Sequence, residues 1–193
     1  LELINKQLEA KRSILKTYTL VDATLLDTAG VRLPKTVGRG DPDASYTVKR
    51  GEPHYGYKAH IAVDQEHNLI RNVSMTGAHV HDSVEFERVV KRMTDGNSRQ
   101  GIMGQNAVNG VNGWVNKWGY PTNGTWQEIA GDVQVLNRGL NKVRCQIEQI
   151  FGWWKRSVGY WRVRYLSRKA NRLELEFKSI CWNLKRTVNL MSV

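Results

Sequence analysis

Apolar residues recur along this chain with two different periods, and the points where the period changes divide it into elements. Leu1, Ile4, Leu8 and Leu15 share one stripe with Glu2, Lys6, Glu9 and Lys11 off it, which predicts an amphipathic helix over residues 1–16. Residues 17–26, Thr-Tyr-Thr-Leu-Val-Asp-Ala-Thr-Leu-Leu, are β-branched or apolar on both alternating faces, as in a strand covered on both sides. Gly30, Pro34, Gly38, Gly40, Pro42, Gly51 and Pro53 make residues 28–54 a long loop by the same reasoning. Tyr55, Tyr57, Ala59, Ile61 and Val63 then alternate with Gly56, Lys58, His60, Ala62 and Asp64. With a turn at Gln65 to Asn68 and a return over Leu69 to Thr76, this predicts a hairpin.

Helical spacing returns with Phe86, Val89, Val90 and Met93. Residues 94–132 break every period with glycine and asparagine, and no strand is expected there. Val143, Ile147, Ile150, Phe151, Trp154 and Val158 form the apolar stripe of a helix over residues 134–158. A last helix carries Leu173, Phe177, Ile180, Cys181, Leu184 and Val188 on one side, with Arg172, Lys178, Lys185 and Arg186 mostly away from it. Helix, strand, hairpin, helix and terminal helices indicate an α/β fold, a central sheet covered by helices in a single domain over residues 1–193.

Charge changes the picture more than composition does. Of the formal +11, residues 138–186 hold thirteen Lys or Arg against three Glu. Interleaving with Trp153, Trp154, Tyr160, Trp161 and Tyr165 suits a polyanion with stackable bases, against the plainer reading of a solvated basic face over a core of aromatics. No apolar run is long enough to span a bilayer, and Leu1-Glu2-Leu3-Ile4 followed by charges lacks the pattern of a cleaved signal, so a soluble intracellular protein is expected. Cys145 and Cys181 fall in helical apolar patterns and are expected as buried free thiols.

Two carboxylates stand out. Asp22 interrupts a strand that is otherwise apolar, where a carboxylate needs a hydrogen-bond network, a cation or a metal ion. Glu148 follows Arg144 by four residues and precedes Lys155 by seven, an arrangement that serves either a surface salt bridge or a metal-binding glutamate beside phosphate-gripping cations. His79, His81 and Asp82 bunch before a helix, and strand-end polarity with an Asp cap explains them at least as well as metal ligation.

The order of these motifs resembles the bacterial insertion-sequence transposases of the IS5 type, within the DDE transposases. The similar stretches are Leu20 to Leu25, His54-Tyr55-Gly56-Tyr57-Lys58 through Asp64, His79 to Ser83, Val143 to Gly152, Lys155-Arg156, Gly159-Tyr160, Val163 to Leu166 and Asn183 to Arg186. The resemblance implies an RNase H-like mixed sheet flanked by helices, with basic C-terminal helices, and DNA transposition as the activity. It makes Asp22 and Glu148 the catalytic, metal-binding carboxylates. Arg144 and Lys155 become the arginine and lysine of an Arg-x3-Glu-x6-Lys signature, and Arg156, Arg162, Arg164, Arg168 and Lys169 become DNA contacts. It implies Mg²⁺, with Mn²⁺ as a substitute, in a two-cation cleavage of phosphodiesters. The implied partners are the element's terminal inverted repeats, target DNA and further copies of the chain, in the bacterial cytoplasm at the nucleoid.

The sequence departs from that pattern in two places. Asn141 stands where related proteins often carry tyrosine, and no Ala-Asp-Lys-Gly-Tyr-like segment follows Met93 to supply a second catalytic aspartate. The comparison implies a loss of roughly thirty residues, a strand plus a helix, near Gln100-Gly101. Asp64, Asp95 and Asp132 are the remaining candidates for the second carboxylate. An impaired transposase is therefore expected, with a non-catalytic DNA-binding remnant and a metal-dependent nuclease of RNase H-like fold as alternatives.

Overall fold

The computed structural model describes residues 1–10, 18–29, 40–49, 51–82, 84–85, 101–104, 113–115 and 145–191. Helix α1 spans Glu2–Ala10. Strands β1 (Tyr18–Asp27), β2 (Ser45–Lys49), β3 (Glu52–Asp64) and β4 (Ile70–Gly77) follow. After them come β5 (Gly101–Gly104), β6 (Gly113–Val115), helix α2 at residues 145–157 and helix α3 (Arg168–Met191).

The predicted hairpin is β3 and β4, antiparallel from Tyr57↔Gly77 to Val63↔Ile70, with Asn68 turning the chain at a φ of 57°. Strand β1 lies antiparallel to β3 from Thr19↔Asp64 to Asp27↔Gly56. Gly56 also partners Ser45 of β2, so β2 and β4 succeed one another along the edge of β3 that faces away from β1. On its other side β1 pairs in parallel with β5, and β5 with β6, giving a mixed six-stranded sheet. The close approach at Gly56 explains the residue: a Cβ there would lie 2.1 Å from the Leu26 carbonyl oxygen and 2.8 Å from the Thr28 nitrogen. The α/β class expected from the sequence is what the chain adopts.

One face of the sheet carries the core. Leu20, Leu26, Tyr57, Ala59, Ile61, Val63, Val73 and Met75 pack against Ile147, Ile150, Phe151 and Trp154 of α2, and against Leu175 and Trp182 of α3. Each fully buried aliphatic side chain contributes about 1.5–3 kcal/mol of transfer free energy. Trp154 meets Phe151 and Tyr160 with centroids 5.9 and 6.1 Å apart, so the middle of α2 is a nest of rings. Burial, with the Glu174 carboxylate nearby, raises the Tyr160 phenol well above its ordinary range and keeps it neutral.

Several expectations are corrected. Residues 28–54 contain β2, because Tyr46 and Val48 alternate with Ser45, Thr47 and Lys49 and the first residues of β3 give them a partner. Residues 94–132 contain β5 and β6, whose glycine-rich sequences hold strand geometry through pairing, β5 with β1 and β6 with β5, rather than through propensity. Both cysteines are exposed. The largest correction is α3. Its apolar stripe faces solvent, and its buried side consists of Asn171, Leu175, Lys178, Ser179, Trp182 and Asn183. The helix predicted around Phe86 to Met93 lies outside the described residues, as do Asp95, Asp132, Asn141 and Arg144.

Polar residues hold α3 because it covers backbone. Among the described strands β4 pairs only with β3. The Asn183 amide takes the place of a neighbouring strand: its Oδ1 accepts from the Ile70 N–H at 2.7 Å and its Nδ2 donates to the Ile70 carbonyl at 2.8 Å. Nδ2 also reaches Asn5 Oδ1 at 3.1 Å, and Asn5 donates to the Arg71 carbonyl at 2.8 Å, so α1, β4 and α3 share one network. Trp182 Nε1 donates to the Asn68 carbonyl at 2.8 Å, tying α3 to the hairpin turn. No helix among the described residues is long and apolar enough to cross a membrane.

Replacing Asn183 by Leu keeps the number of side-chain heavy atoms but leaves the Ile70 N–H unpaired and its carbonyl with Asn5 Nδ2 alone, and is expected to lower stability by about 1–3 kcal/mol in urea unfolding. Gly56→Ala is expected to cost at least about 2 kcal/mol in the same assay, because the β1–β3 ladder must open to admit the methyl group.

Candidate active site

Asp22 lies in the middle of β1, flanked by β3 and β5. Its register partner is Ile61, whose side chain belongs to the core shared with Ile147 and Ile150. Side chains directly opposite in an antiparallel pair point to the same face. Asp22 therefore points to the face that α2 covers, between Leu20 and Leu26. It is half-buried, and its Oδ1 accepts the Ala23 N–H at 2.8 Å.

Two contacts fix the direction of α2. At its start the Gln146 carbonyl accepts from Asn68 in the hairpin turn, near the Thr19 end of β1. Past its end Trp161 and Val163 bond the backbone of Asp27, at the far end of the same strand, at 3.1 and 2.9 Å. The helix thus runs alongside β1 in the same direction, and Glu148, just after Gln146, lies toward the half of the strand before Asp27. Glu148 and Lys155 are seven residues apart and share one flank of the helix, two turns apart. Trp153 is on the other flank, against Trp182 of α3 with centroids 5.5 Å apart. Because α3 packs over β4, the flank bearing Glu148 and Lys155 faces away from it, toward β1. Glu148 itself is exposed.

Lys155 marks the other end of this flank. The side chain is exposed overall, yet desolvation, reinforced by the Lys49 ammonium and opposed by the Asp27 carboxylate, holds its amine below the ordinary lysine value. Asp27 also meets His54 Nδ1 at 3.6 Å. Lys155, Lys49, Asp27 and His54 thus gather where β1 ends, a grouping that sequence reasoning missed. The signal was present in the placement of His54 two residues before Gly56, the register partner of Asp27.

The strand beside Asp22 brings no carboxylate. Gly104, the last residue of β5, pairs with Val21, the residue before Asp22. Between Asp95 and Glu128 the sequence contains neither Asp nor Glu. Asp64 is no substitute: it pairs with Thr19, three residues before Asp22 and hence on the opposite face, and on the strand away from β5. Burial raises its carboxyl above the usual range, offset by the His67 N–H, the His67 side chain and Arg71. No group of three or more His, Cys, Asp or Glu suited to a metal occurs among the described residues. At the hairpin end, Asp82 pairs with Lys58 Nζ at 3.0 Å.

All five basic residues singled out for DNA are exposed: Arg156, Arg162, Arg164, Arg168 and Lys169. Arg162 lies over the ring of the half-exposed Trp161 at 4.9 Å. Arg164 meets Glu174 at 3.3 Å. The connection that carries them is held rigidly, because the Asn171 amide bonds both backbone groups of Tyr165 at 3.0 and 2.7 Å, and Asp43 accepts the Arg168 N–H at 3.0 Å. Of the interleaved aromatics, Trp154 and Tyr160 are core, whereas Trp161 and Tyr165 face solvent.

Comparison with known proteins agrees with this geometry. The family described as "Transposase DDE domain" matches residues 15–99 and 125–184. A protein named "Transposase for insertion sequence element IS1106", from Neisseria meningitidis serogroup B, is 25% identical over 213 residues that cover 100% of this chain and 73% of the relative. No solved structure matches the chain. With the family match extending over both the strand that bears Asp22 and the helix that bears Glu148, the chain belongs to the DDE transposases of insertion sequences.

Proposed function

We propose that this chain is a DNA-end-binding transposase of RNase H-like fold whose phosphodiester cleavage is impaired by loss of the second catalytic carboxylate. The observation that carries this reading is the gap at β5. The family match stops at residue 99 and resumes at 125, and the strand inside the gap, beside Asp22, has no acidic residue in or after it until Glu128. The 213 aligned positions shared with the meningococcal relative exceed the 193 residues of the chain, so part of that relative has no counterpart here. Both facts support an internal deletion near residues 100–101. The succession of antiparallel β4, β3 and β1 followed by the parallel β5 and β6 supports the RNase H-like reading.

In this proposal Asp22 and Glu148 are the metal-binding carboxylates, converging from β1 and α2. Mg²⁺ is satisfied by one or two carboxylates with phosphate oxygens and water, so the two fit one Mg²⁺ or Mn²⁺ held jointly with DNA. They do not complete a set for two ions. When bound, the ion supplies charge neutralisation at the scissile phosphate. Lys155 and Arg144 hold flanking phosphates, with Lys155 fixed near the end of β1. Arg156, Arg162, Arg164, Arg168 and Lys169 track the backbone of the terminal repeats or of target DNA. The protein acts in the bacterial cytoplasm, at the nucleoid.

Two measurements test this. A duplex carrying the terminal repeats of the element that encodes the chain is expected to bind, but to be cut at most weakly in Mg²⁺ or Mn²⁺, and Glu148→Gln is expected to abolish any residual cutting without changing binding. Efficient cutting that joins an end to target DNA contradicts the impairment, and efficient cutting without joining favours a nuclease. Separately, the triple change of Arg162, Arg164 and Arg168 to Ala is expected to weaken binding and to flatten its dependence on salt by about two to three in the logarithmic slope. An unchanged slope removes these residues from the interface.

A further inference from the structure

On the face of the sheet away from α2, toward the Asp27 end of β1, lies an open cavity of about 190 Å³. Ala23 and Leu25 of β1, Thr47 and Lys49 of β2, Lys58 of β3 and Asp82 line it. The register accounts for this grouping. Leu25 is opposite Lys58 and Thr47 is opposite His54, and both pairs alternate onto the face that the core does not use. Strands β1 and β2 flank β3 on opposite edges, so their side chains meet over one cavity because the sheet curls at this end.

The cavity carries unbalanced positive charge. Asp82 is neutralised by Lys58 Nζ at 3.0 Å, and Lys58 is held in place by donating to the Val80 carbonyl at 2.8 Å. Lys49 is exposed and forms no ion pair among the described residues, although Glu52 is its register partner. Lys155 forms none among them either, and after desolvation the Lys49 ammonium is what most lowers its amine. The nearby Asp27 carboxylate is shared with His54 Nδ1 at 3.6 Å. Two like charges brought together from β2 and α2 repel, and a phosphate oxygen between them turns that repulsion into two charge-assisted hydrogen bonds. We propose that Lys49 and the Thr47 hydroxyl seat one backbone phosphate of bound DNA at the mouth of this cavity, across from Lys155. The inference rests on the DNA-binding role proposed above and adds two residues of β2 to it. The volume favours a single phosphate with its hydration over a free nucleotide, because pockets for small molecules run to about 300–1,000 Å³. A strand that passes Asp22 and Lys155 on the α2 side is thereby followed around the end of β1 to the other face of the sheet.

The test couples the lysine to one phosphate, using the full chain and the terminal-repeat duplex. Lys49→Ala is expected to reduce the logarithmic salt slope of binding by about one, and Lys49→Arg to keep it. A neutral methylphosphonate placed singly at successive positions is expected to weaken binding by the unaltered chain, and at one position to have no further effect on Lys49→Ala. Thr47→Val is expected to weaken binding of the unmodified duplex about threefold without changing the slope. Lys6→Ala removes an equal charge from an exposed site on α1 and is expected to leave the methylphosphonate pattern as it is. Losses that add at every position overturn the proposal, because Lys49 then acts through general attraction or on a free phosphate ion. An unchanged slope in Lys49→Ala overturns it too. If the unaltered chain binds no duplex, the proposed function falls and this contact with it, whereas binding without coupling removes this contact alone.

Discussion

The packing of Ile147, Ile150 and Trp154 onto the face shared by β1 and β3 is the contact from which the rest of the molecule takes its geometry. It fixes α2 against the strand that carries Asp22 between Leu20 and Leu26. The same stripe sets the flank of the helix, and with it the direction in which Glu148 and Lys155 face. Because a closely packed core has few alternative arrangements, the rotation of α2 about its own axis is settled by its rings, and the polar flank follows. The direction of the flank that bears Glu148 and Lys155 is thus specified by apolar residues buried beneath it.

Much of this was legible in the chain itself. The hairpin announced itself through strict alternation from Tyr55 to Val63, and α2 through its stripe, because in both cases burial and period coincide. Asp22 and Glu148 stood out as carboxylates in places that apolar patterning or flanking cations made unusual. What was hidden has a common physical cause. Strands β2, β5 and β6 are held by partners distant in sequence, and tertiary pairing overrides weak local propensity. The stripe of α3 was legible as a stripe, but periodicity does not say which side faces inward. There the decisive groups were asparagines, which satisfy backbone that none of the described strands covers, and amide hydrogen bonding leaves no mark in a hydrophobic pattern.

Buried polarity is used the same way elsewhere. Asp41 is almost fully buried, accepting from Tyr57 Oη at 2.7 Å and Thr28 Oγ1 at 3.0 Å, while its backbone carbonyl accepts from Tyr55 Oη at 3.1 Å. This carboxylate ties the segment before β2 to the end of β1, and burial, reinforced by the Asp41 carboxylate, raises the Tyr57 phenol far above its ordinary range. The chain thus spends its sequestered polar groups on fastening connections to the sheet. The exposed cations are left to the outer surface.

The attachment of Trp161 and Val163 to Asp27 has a consequence for how such a protein ages. Both bonds are made by backbone atoms alone, so they are indifferent to the side chains along the connection. The path from the basic, aromatic surface to the strand of Asp22 therefore persists through substitutions that erase chemistry. Side chains along this connection can therefore be exchanged one by one while its attachment to the end of β1 is kept.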